Sequence, residues 1–234
     1  MKEKLANILK KYNINYNDQV LEEFSKYYDM MIKYNTSHNI TNITEINEVI
    51  IKHYLDSIIP YQLLKDSSKV IDLGCGGGFP SIPLKIINKS LDFTAVDSVN
   101  KKIEFVNNVA KELNFNDFNV IHARIEDLAF KDDYRERYDY VVSRAVAPLN
   151  IILEYSAPFT KNNGQIICYK GLKYQEEIEN AANALKLLNC KVVDIKKYYI
   201  EEIDTYRYII IIEKLANINK KYPRKQNKPR LQPL

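Results

Sequence analysis

Four of the chain's six glycines fall inside one five-residue window, Gly74-Cys-Gly-Gly-Gly78, directly behind the apolar run Val70-Ile-Asp-Leu73. Glycine lets the backbone enter left-handed torsions and lets N–H groups approach a ligand with no Cβ in the way. A short apolar strand that ends in Asp72-Leu-Gly-x-Gly-x-Gly and runs into a helix is how α/β proteins cradle a nucleotide-like ligand. The rest of the chain then has to supply a sheet around that strand.

From Lys69 onward it does. Apolar segments that read as strands are Val70 to Leu73, Asp92 to Asp97, Asn119 to His122, Tyr138 to Ser143, Gly164 to Tyr169, Val192 to Tyr199 and Tyr206 to Glu213. Helical spacing occupies Ser81 to Ile87, Lys101 to Leu113, Leu149 to Pro158 and Tyr174 to Leu188. Strands alternating with helices imply a mainly parallel sheet covered on both faces, a Rossmann-like α/β fold. The last two strands are separated only by Ile200 to Thr205, too short for a helical crossover, so they form an antiparallel hairpin. Ahead of the sheet, residues 1–65 read as a helical extension. Asp18 is placed to cap a helix with apolar positions Val20, Leu21, Phe24, Tyr27, Tyr28, Met31 and Ile32. A second helix spans Val49 to Leu64 with a bend at Pro60, and the polar run Asn35 to Thr44 between them reads as a loop or cap.

With 234 residues, 46% hydrophobic and 27% charged, the chain suits one globular domain of residues 66–213 with small additions at each end. No stretch reaches the roughly 18 apolar residues of a membrane span, and the N-terminus lacks an apolar leader core, which predicts a cytoplasmic protein with no membrane partner. Cys75, Cys168 and Cys190 have no metal-ligand spacing, so neither zinc nor disulfides are expected. The net charge of +4 is unevenly held: residues 214–234 carry seven Lys and Arg and no acid, leaving the other 213 residues with 27 basic against 30 acidic. A basic, proline-punctuated tail on a slightly acidic domain predicts contact with phosphates.

Which ligand the glycines hold follows from what surrounds them. A dinucleotide fingerprint needs a third glycine where this chain has Phe79, and no Gly-Lys-Ser/Thr is present for a P-loop. Gly74, Gly76 and Gly78 behind Asp72 instead match the spacing of S-adenosylmethionine sites. Asp97 ends the second strand, where a carboxylate takes both ribose hydroxyls, and Glu126 follows the third, where an adenine amino group would lie. Helix N-capping is the lesser reading of both acids; the glycine turn followed by acids after the second and third strands forms an ordered triplet. The fourth strand runs into Arg144-Ala-Val-Ala-Pro148, where such enzymes meet their substrate. It lacks both the Asn-Pro-Pro-Tyr signature of exocyclic-amine methylation and a cysteine nucleophile.

These segments together resemble the bacterial small-subunit (16S) ribosomal RNA guanine-N7 methyltransferase family, also called glucose-inhibited division protein B. The resemblance runs through Asn39-Ile-Thr41, His53-Tyr-Leu-Asp-Ser57, Asp72 to Pro83, Val96-Asp-Ser98 with Lys101-Lys102, Arg144 to Pro148, Lys170-Gly171 and Tyr222-Pro-Arg-Lys225. It implies cofactor contacts from Gly74, Phe79, the Ile125-Glu126 pair and Arg144. Two departures stand out, Ile125 where the family usually has alanine and Ser81 where glycine is frequent. The implied partner is 16S rRNA, free or within the small subunit or its precursor, and not DNA.

Guanine N7 has an in-plane lone pair free of hydrogen, so it attacks the sulfonium methyl directly, in line, with no general base and no covalent enzyme intermediate. Catalysis then rests on positioning. A donor on N7 would occupy that lone pair, which assigns Arg144 to the cofactor, with O6 or a phosphate as secondary partners. RNA contacts are expected from Lys101, Lys102, Lys170 and Lys173 and from Lys221, Arg224, Lys225, Lys228 and Arg230 in the tail, with Tyr34 or Tyr169 stacking on a flipped base. His38, His53 and His122 read as packing or capping residues. On this reading, truncation after Glu213 leaves cofactor binding intact. Two alternatives stay open: a small-molecule methyltransferase on the same fold, and a non-catalytic RNA-binding ribosome assembly factor.

Overall fold

A computed structural model describes residues 1–234. Its first part is helical: α1 (Lys2–Lys11), α2 (Asp18–His38), α3 (Ile46–Glu48), a π-helical turn (Val49–Leu55) and α4 (Asp56–Ile58). Asn17, not Asp18, caps α2, its side chain accepting the Val20 N–H at 3.0 Å. The helix continues to His38, into the polar run expected to be a loop, and stops where Asn39 turns left-handed at φ 47°. The helix expected over Val49 to Leu64 is broken up, with its centre widened to π geometry and only a 3-10 turn, Tyr61–Leu63, beyond Pro60. Helical periodicity does not distinguish these variants.

Seven strands then build one sheet: β1 (Lys69–Leu73), β2 (Asp92–Asp97), β3 (Phe118–His122), β4 (Tyr138–Arg144), β5 (Thr160–Lys170), β6 (Cys190–Ile200) and β7 (Thr205–Lys214). Their order is β3-β2-β1-β4-β5-β7-β6. The first five pair in parallel, and β7 lies antiparallel to both β5 and β6. The expected Rossmann-like sheet with its C-terminal hairpin is therefore present. Its central strands β1, β2 and β4 are buried over most of their length because both faces are covered. Ile71, Leu73, Val141, Ile166 and Ile210 point into one core, and Val70, Tyr140, Val142, Ile167 and Ile209 into the other.

The covering helices are α5 (Ser81–Ile87), α6 (Asn100–Glu112), α7 (Ile125–Leu128), α8 (Leu149–Ser156), α9 (Tyr174–Asn180) and α10 (Ala182–Leu187). The single helix expected over Tyr174 to Leu188 is interrupted at Ala181, whose ψ of 2° leaves the helical range. The N-terminal helices share one core with α5 and α6, in which Leu5, Phe24, Tyr27 and Tyr54 pack with Phe79, Ile82 and Phe105. Residues 215–234 pack as well: Ile218 and Tyr222 are buried against α8 and the sheet, and a last turn, α11 (Lys228–Leu231), buries Pro229. No helix is long and apolar enough to cross a membrane.

Candidate active site

Strand order reverses at β1, whose neighbours β2 and β4 lead away in opposite directions, so the loops after β1 and β4 flank a crevice at the carboxyl ends of the strands. Ligands of open α/β sheets bind at such a switch point. The loop after β1 is the glycine window. Gly74 and Cys75 both donate to the Val96 carbonyl, at 2.8 and 3.0 Å, which staples the turn to the end of β2. Gly74 has φ +77°, and a Cβ there would meet Val146 Cγ2 at 2.7 Å, so the turn and the loop after β4 touch only because the side chain is missing. Asp72 lies beneath the turn, fully buried, with Oδ2 accepting the Ser81 N–H at 3.1 Å. Its other oxygen has no partner, and burial raises this carboxyl to about 7. Expected as a cofactor contact, Asp72 instead supports the turn from below.

A cavity of about 290 Å³ opens beside Gly74. Its walls include Asp97, Lys102, Ile125, Glu126, Val146 and Tyr155, and Asn227 and Arg230 complete them from the C-terminal segment. Asp97 is held rigidly: Oδ2 accepts the Gly76 N–H and Oδ1 the Val99 N–H, both at 2.9 Å. Each oxygen keeps a lone pair for a hydroxyl, which suits a ribose diol. Tyr155 donates to Glu126 Oε1 at 3.4 Å, leaving the second oxygen of Glu126 free. Ile125 lines the cavity while packing on the core, so the departure from alanine is accommodated there. The donor set fits the adenosyl end of S-adenosylmethionine.

Phe79 and Arg144 stand elsewhere. Phe79 is buried and stacks on His53, ring centroids 4.2 Å apart, with the Arg144 guanidinium 5.3 Å from its ring centroid. Neither side chain belongs to the adenosyl cavity. Arg144 Nη1 donates to Asp56 Oδ2 at 3.0 Å and to the Lys52 carbonyl at 3.1 Å, a carbonyl in the middle of the widened π turn. Asp56 also binds Arg207 Nε at 2.8 Å, so one carboxylate joins the N-terminal helices to β4 and β7. His53 completes the cluster, with Nε2 2.8 Å from Thr41 Oγ1 and Nδ1 3.4 Å from Arg144 Nη2. Burial and the neighbouring guanidinium push this imidazole down to about 4, which keeps it neutral. His53 and Asp56 read as packing residues from sequence; only the tertiary fold brings them to the strand ends.

On the far side of the loop Arg144 to Pro148 lies a second cavity, of about 530 Å³ and lined by Asp56, Arg144, Tyr169, Lys170, Glu177 and Arg207 among others. Ala145 and Val146 wall both cavities, and Ala145 holds a left-handed φ of 57°. Tyr169 borders the second cavity with its ring buried and its hydroxyl tied to the Ser57 carbonyl at 2.7 Å, whereas Tyr34 stacks on His38, away from both.

The expected RNA-contacting cations divide into two sets. Lys170 is inward, with Nζ 2.5 Å from Glu177 Oε2 and 3.0 Å from the Ala147 carbonyl. Arg224 is bonded to the fully buried Glu154. Both are paired with internal carboxylates, and Lys170 also lines the second cavity. Lys101, Lys173, Lys221, Lys225, Lys228 and Arg230 are exposed, and Lys102 edges the adenosyl cavity. Since residues 215–234 bury apolar side chains and wall the cavity, truncation after Glu213 removes part of the site, contrary to the sequence expectation.

The sheet order and a glycine turn facing Asp97 and Glu126 define an S-adenosylmethionine-dependent methyltransferase. Solved structures agree on the fold. The chain superimposes on a SAM-dependent methyltransferase from Aquifex aeolicus with TM-score 0.56 at 13% identity, covering 76% of this chain and 97% of that one. It matches M. jannaschii TYW2 in complex with AdoMet with TM-score 0.52 at 16% identity, over 68% and 77% of the two chains. A profile described as rRNA small subunit methyltransferase G matches residues 20–204. Curated relatives named ribosomal RNA small subunit methyltransferase G are 42% identical in Alkaliphilus metalliredigens, over 93% of this chain and 92% of that one, and 37% identical in Lactobacillus johnsonii, over 98% of each. The chain belongs to the rRNA small subunit methyltransferase G family and is an S-adenosylmethionine-dependent rRNA methyltransferase.

Proposed function

We propose that the protein methylates N7 of one guanine in 16S rRNA, on the free RNA, the small subunit or its precursor, in the cytoplasm. One observation carries the reading: in and beside the second cavity, the acid–base groups are already engaged. Asp56 is bound by two arginines, Glu177 by Lys170, and His53 sits between Arg144 and Thr41 as a neutral ring. A nucleophile that must lose a proton is poorly served there. Guanine N7, which carries none, needs no base.

When bound, the cofactor supplies an electrophilic methyl group. The chain's own contribution is positional. Asp97 and Glu126 hold the adenosyl end, and Val146 closes over Gly74. The Arg144–Asp56–Arg207 bridge keeps the loop after β4 fixed against the N-terminal helices. The second cavity, directly beyond that loop, is the place for the target base, and the exposed lysines serve the surrounding phosphates.

The deciding experiment supplies labelled-methyl S-adenosylmethionine with 16S rRNA and with small subunits, then maps the product. Label at a single guanine that becomes cleavable by reduction and aniline supports the reading. Label on ribose, on an exocyclic amine, or on a small molecule sinks it.

A further inference from the structure

The C-terminal segment is anchored at two ion pairs, each with one fully buried partner, and ends against the adenosyl cavity. At its start Lys214 is fully buried, with Nζ 2.6 Å from Glu136 Oε1 and 2.9 Å from the Thr160 carbonyl. Ile218 and Tyr222 then enter the core, and Arg135 Nη1 donates to the Tyr222 carbonyl at 3.0 Å. Arg224 grips Glu154 of α8 three times: its backbone N–H and Nε donate to Oε1, each at 2.8 Å, and Nη2 donates to Oε2 at 2.7 Å. The same Nη2 donates to the Gln232 carbonyl at 2.7 Å, which ties the segment back on itself. Glu154 has no exposed surface, and a carboxylate so placed is stable only with a partner of this kind.

Between these ties, Asn227 turns left-handed at φ 57° and starts α11, which delivers Asn227 and Arg230 to the cavity wall. Arg230 Nη2 lies 3.4 Å from the carbonyl of Val146, the residue that covers Gly74. Arg230 lines the same cavity as Tyr155, whose hydroxyl donates to Glu126. Glu154 and Tyr155 are consecutive on α8, so one turn of helix holds both the anchor and the cavity wall.

We propose that residues 215–234 form a strap that completes the adenosyl end of the cofactor site, with Arg224–Glu154 as its latch and Arg230 as the positioning residue it delivers. Arg230, held at the Val146 carbonyl, acts through Tyr155, orienting Glu126 toward the exocyclic amine of adenine. The inference rests on the assignment of the smaller cavity to the adenosyl group. It gives the basic end of the chain a role in cofactor selection that is separate from RNA contact.

The test is calorimetric binding of S-adenosylhomocysteine and of S-inosylhomocysteine, whose base carries an oxo group in place of the amine, to the full-length protein and its variants. Arg230→Ala, on an exposed side chain, is expected to weaken the adenosyl ligand about 10-fold and the inosyl ligand far less. A side chain that merely loosened the structure would weaken both equally. Arg230→Lys should recover part of the adenosyl preference, and Arg224→Lys should lower affinity about 3- to 10-fold, because the latch sets the strap. Unchanged binding of both ligands by Arg230→Ala, with or without weaker RNA binding, overturns the proposal. So does an equal loss for both ligands. If Arg224→Lys fails to fold, Arg230→Ala alone decides. Asp97→Ala serves as the control on the cavity: should it bind as wild type, the assignment of the cavity fails; should it lose binding while the arginine variants keep it, only the strap fails.

Discussion

Replacing Gly78 by alanine separates two costs that the glycine turn avoids. Gly78 sits at φ +93°, and a Cβ there would lie 2.4 Å from Ile82 Cδ1, 2.8 Å from Ile82 Cγ1 and 3.2 Å from the Tyr27 hydroxyl. The torsion itself costs an L-residue about 1–2 kcal/mol. Overpacking against a core with no room to relax adds about 1–3 kcal/mol. Relaxation is limited here because Ile82 is fully buried and Tyr27, also buried, is pinned by its 2.5 Å hydrogen bond to the Gly77 carbonyl. Gly78→Ala should therefore destabilise by about 2–5 kcal/mol, a fall in Tm of about 5–15 °C for a chain of this size. Ile82→Val alone should cost about 0.5–1.5 kcal/mol. In the double variant the closest contact, to Cδ1, is removed, so the combined loss should be smaller than the sum by about 1 kcal/mol or more, while the contact with Cγ1 and the torsional part persist. The measurement is urea unfolding of the four proteins. Strict additivity would refute the steric half of the reasoning, and a fully restored double variant would refute the torsional half.

Further outcomes follow from the same geometry. His53 titrates at about 4 folded against 6.5 unfolded, so the unfolded chain binds the extra proton and stability falls as pH drops through that window, by about 3 kcal/mol in total; the difference in unfolding free energy between wild type and His53→Asn should shrink or reverse from pH 7 to pH 4, and parallel curves would refute it. Asp72, raised to about 7, works in the opposite sense: its contribution is present below the usual carboxylate range and is lost as pH rises through 7, so Asp72→Asn should flatten stability between pH 5 and 8. Ending the chain at Glu213 removes the partners of Glu136 and of the buried Glu154, and should cost at least the 3–5 kcal/mol or so of one stranded buried charge; a truncated protein that melts like wild type would contradict the packing. Lys101, Lys221, Lys225 and Lys228 are exposed, and changing all four to alanine should reduce the slope of log affinity for RNA against log salt by about 3; an unchanged slope would place the RNA on another face.

Most of the sheet was legible because a strand buried on both faces is written as a short, mostly apolar run, as at Val70, Asp92 and Tyr138. Helix variants were not. The π turn over Val49–Leu55 carries the same hydrophobic spacing as an α-helix, yet its widened geometry presents the Lys52 carbonyl to Arg144. The C-terminal end was misjudged because a list of charges does not say which are paired. The tail counts as seven cations, but Lys214 and Arg224 are spent on Glu136 and Glu154, and Lys170 is spent on Glu177 in the same way.

Sequence alone determined the glycine turn, the fold class and the identity of the cofactor, since those depend on local torsion, on strand and helix periods, and on acids spaced along neighbouring strands. Tertiary structure alone decided which groups share a wall. His53 and Asp56 stand beside Arg144 across 88 to 91 positions of chain, and Arg230 stands beside Val146 across 84. Contacts of that separation follow from packing of whole elements, which no local pattern encodes.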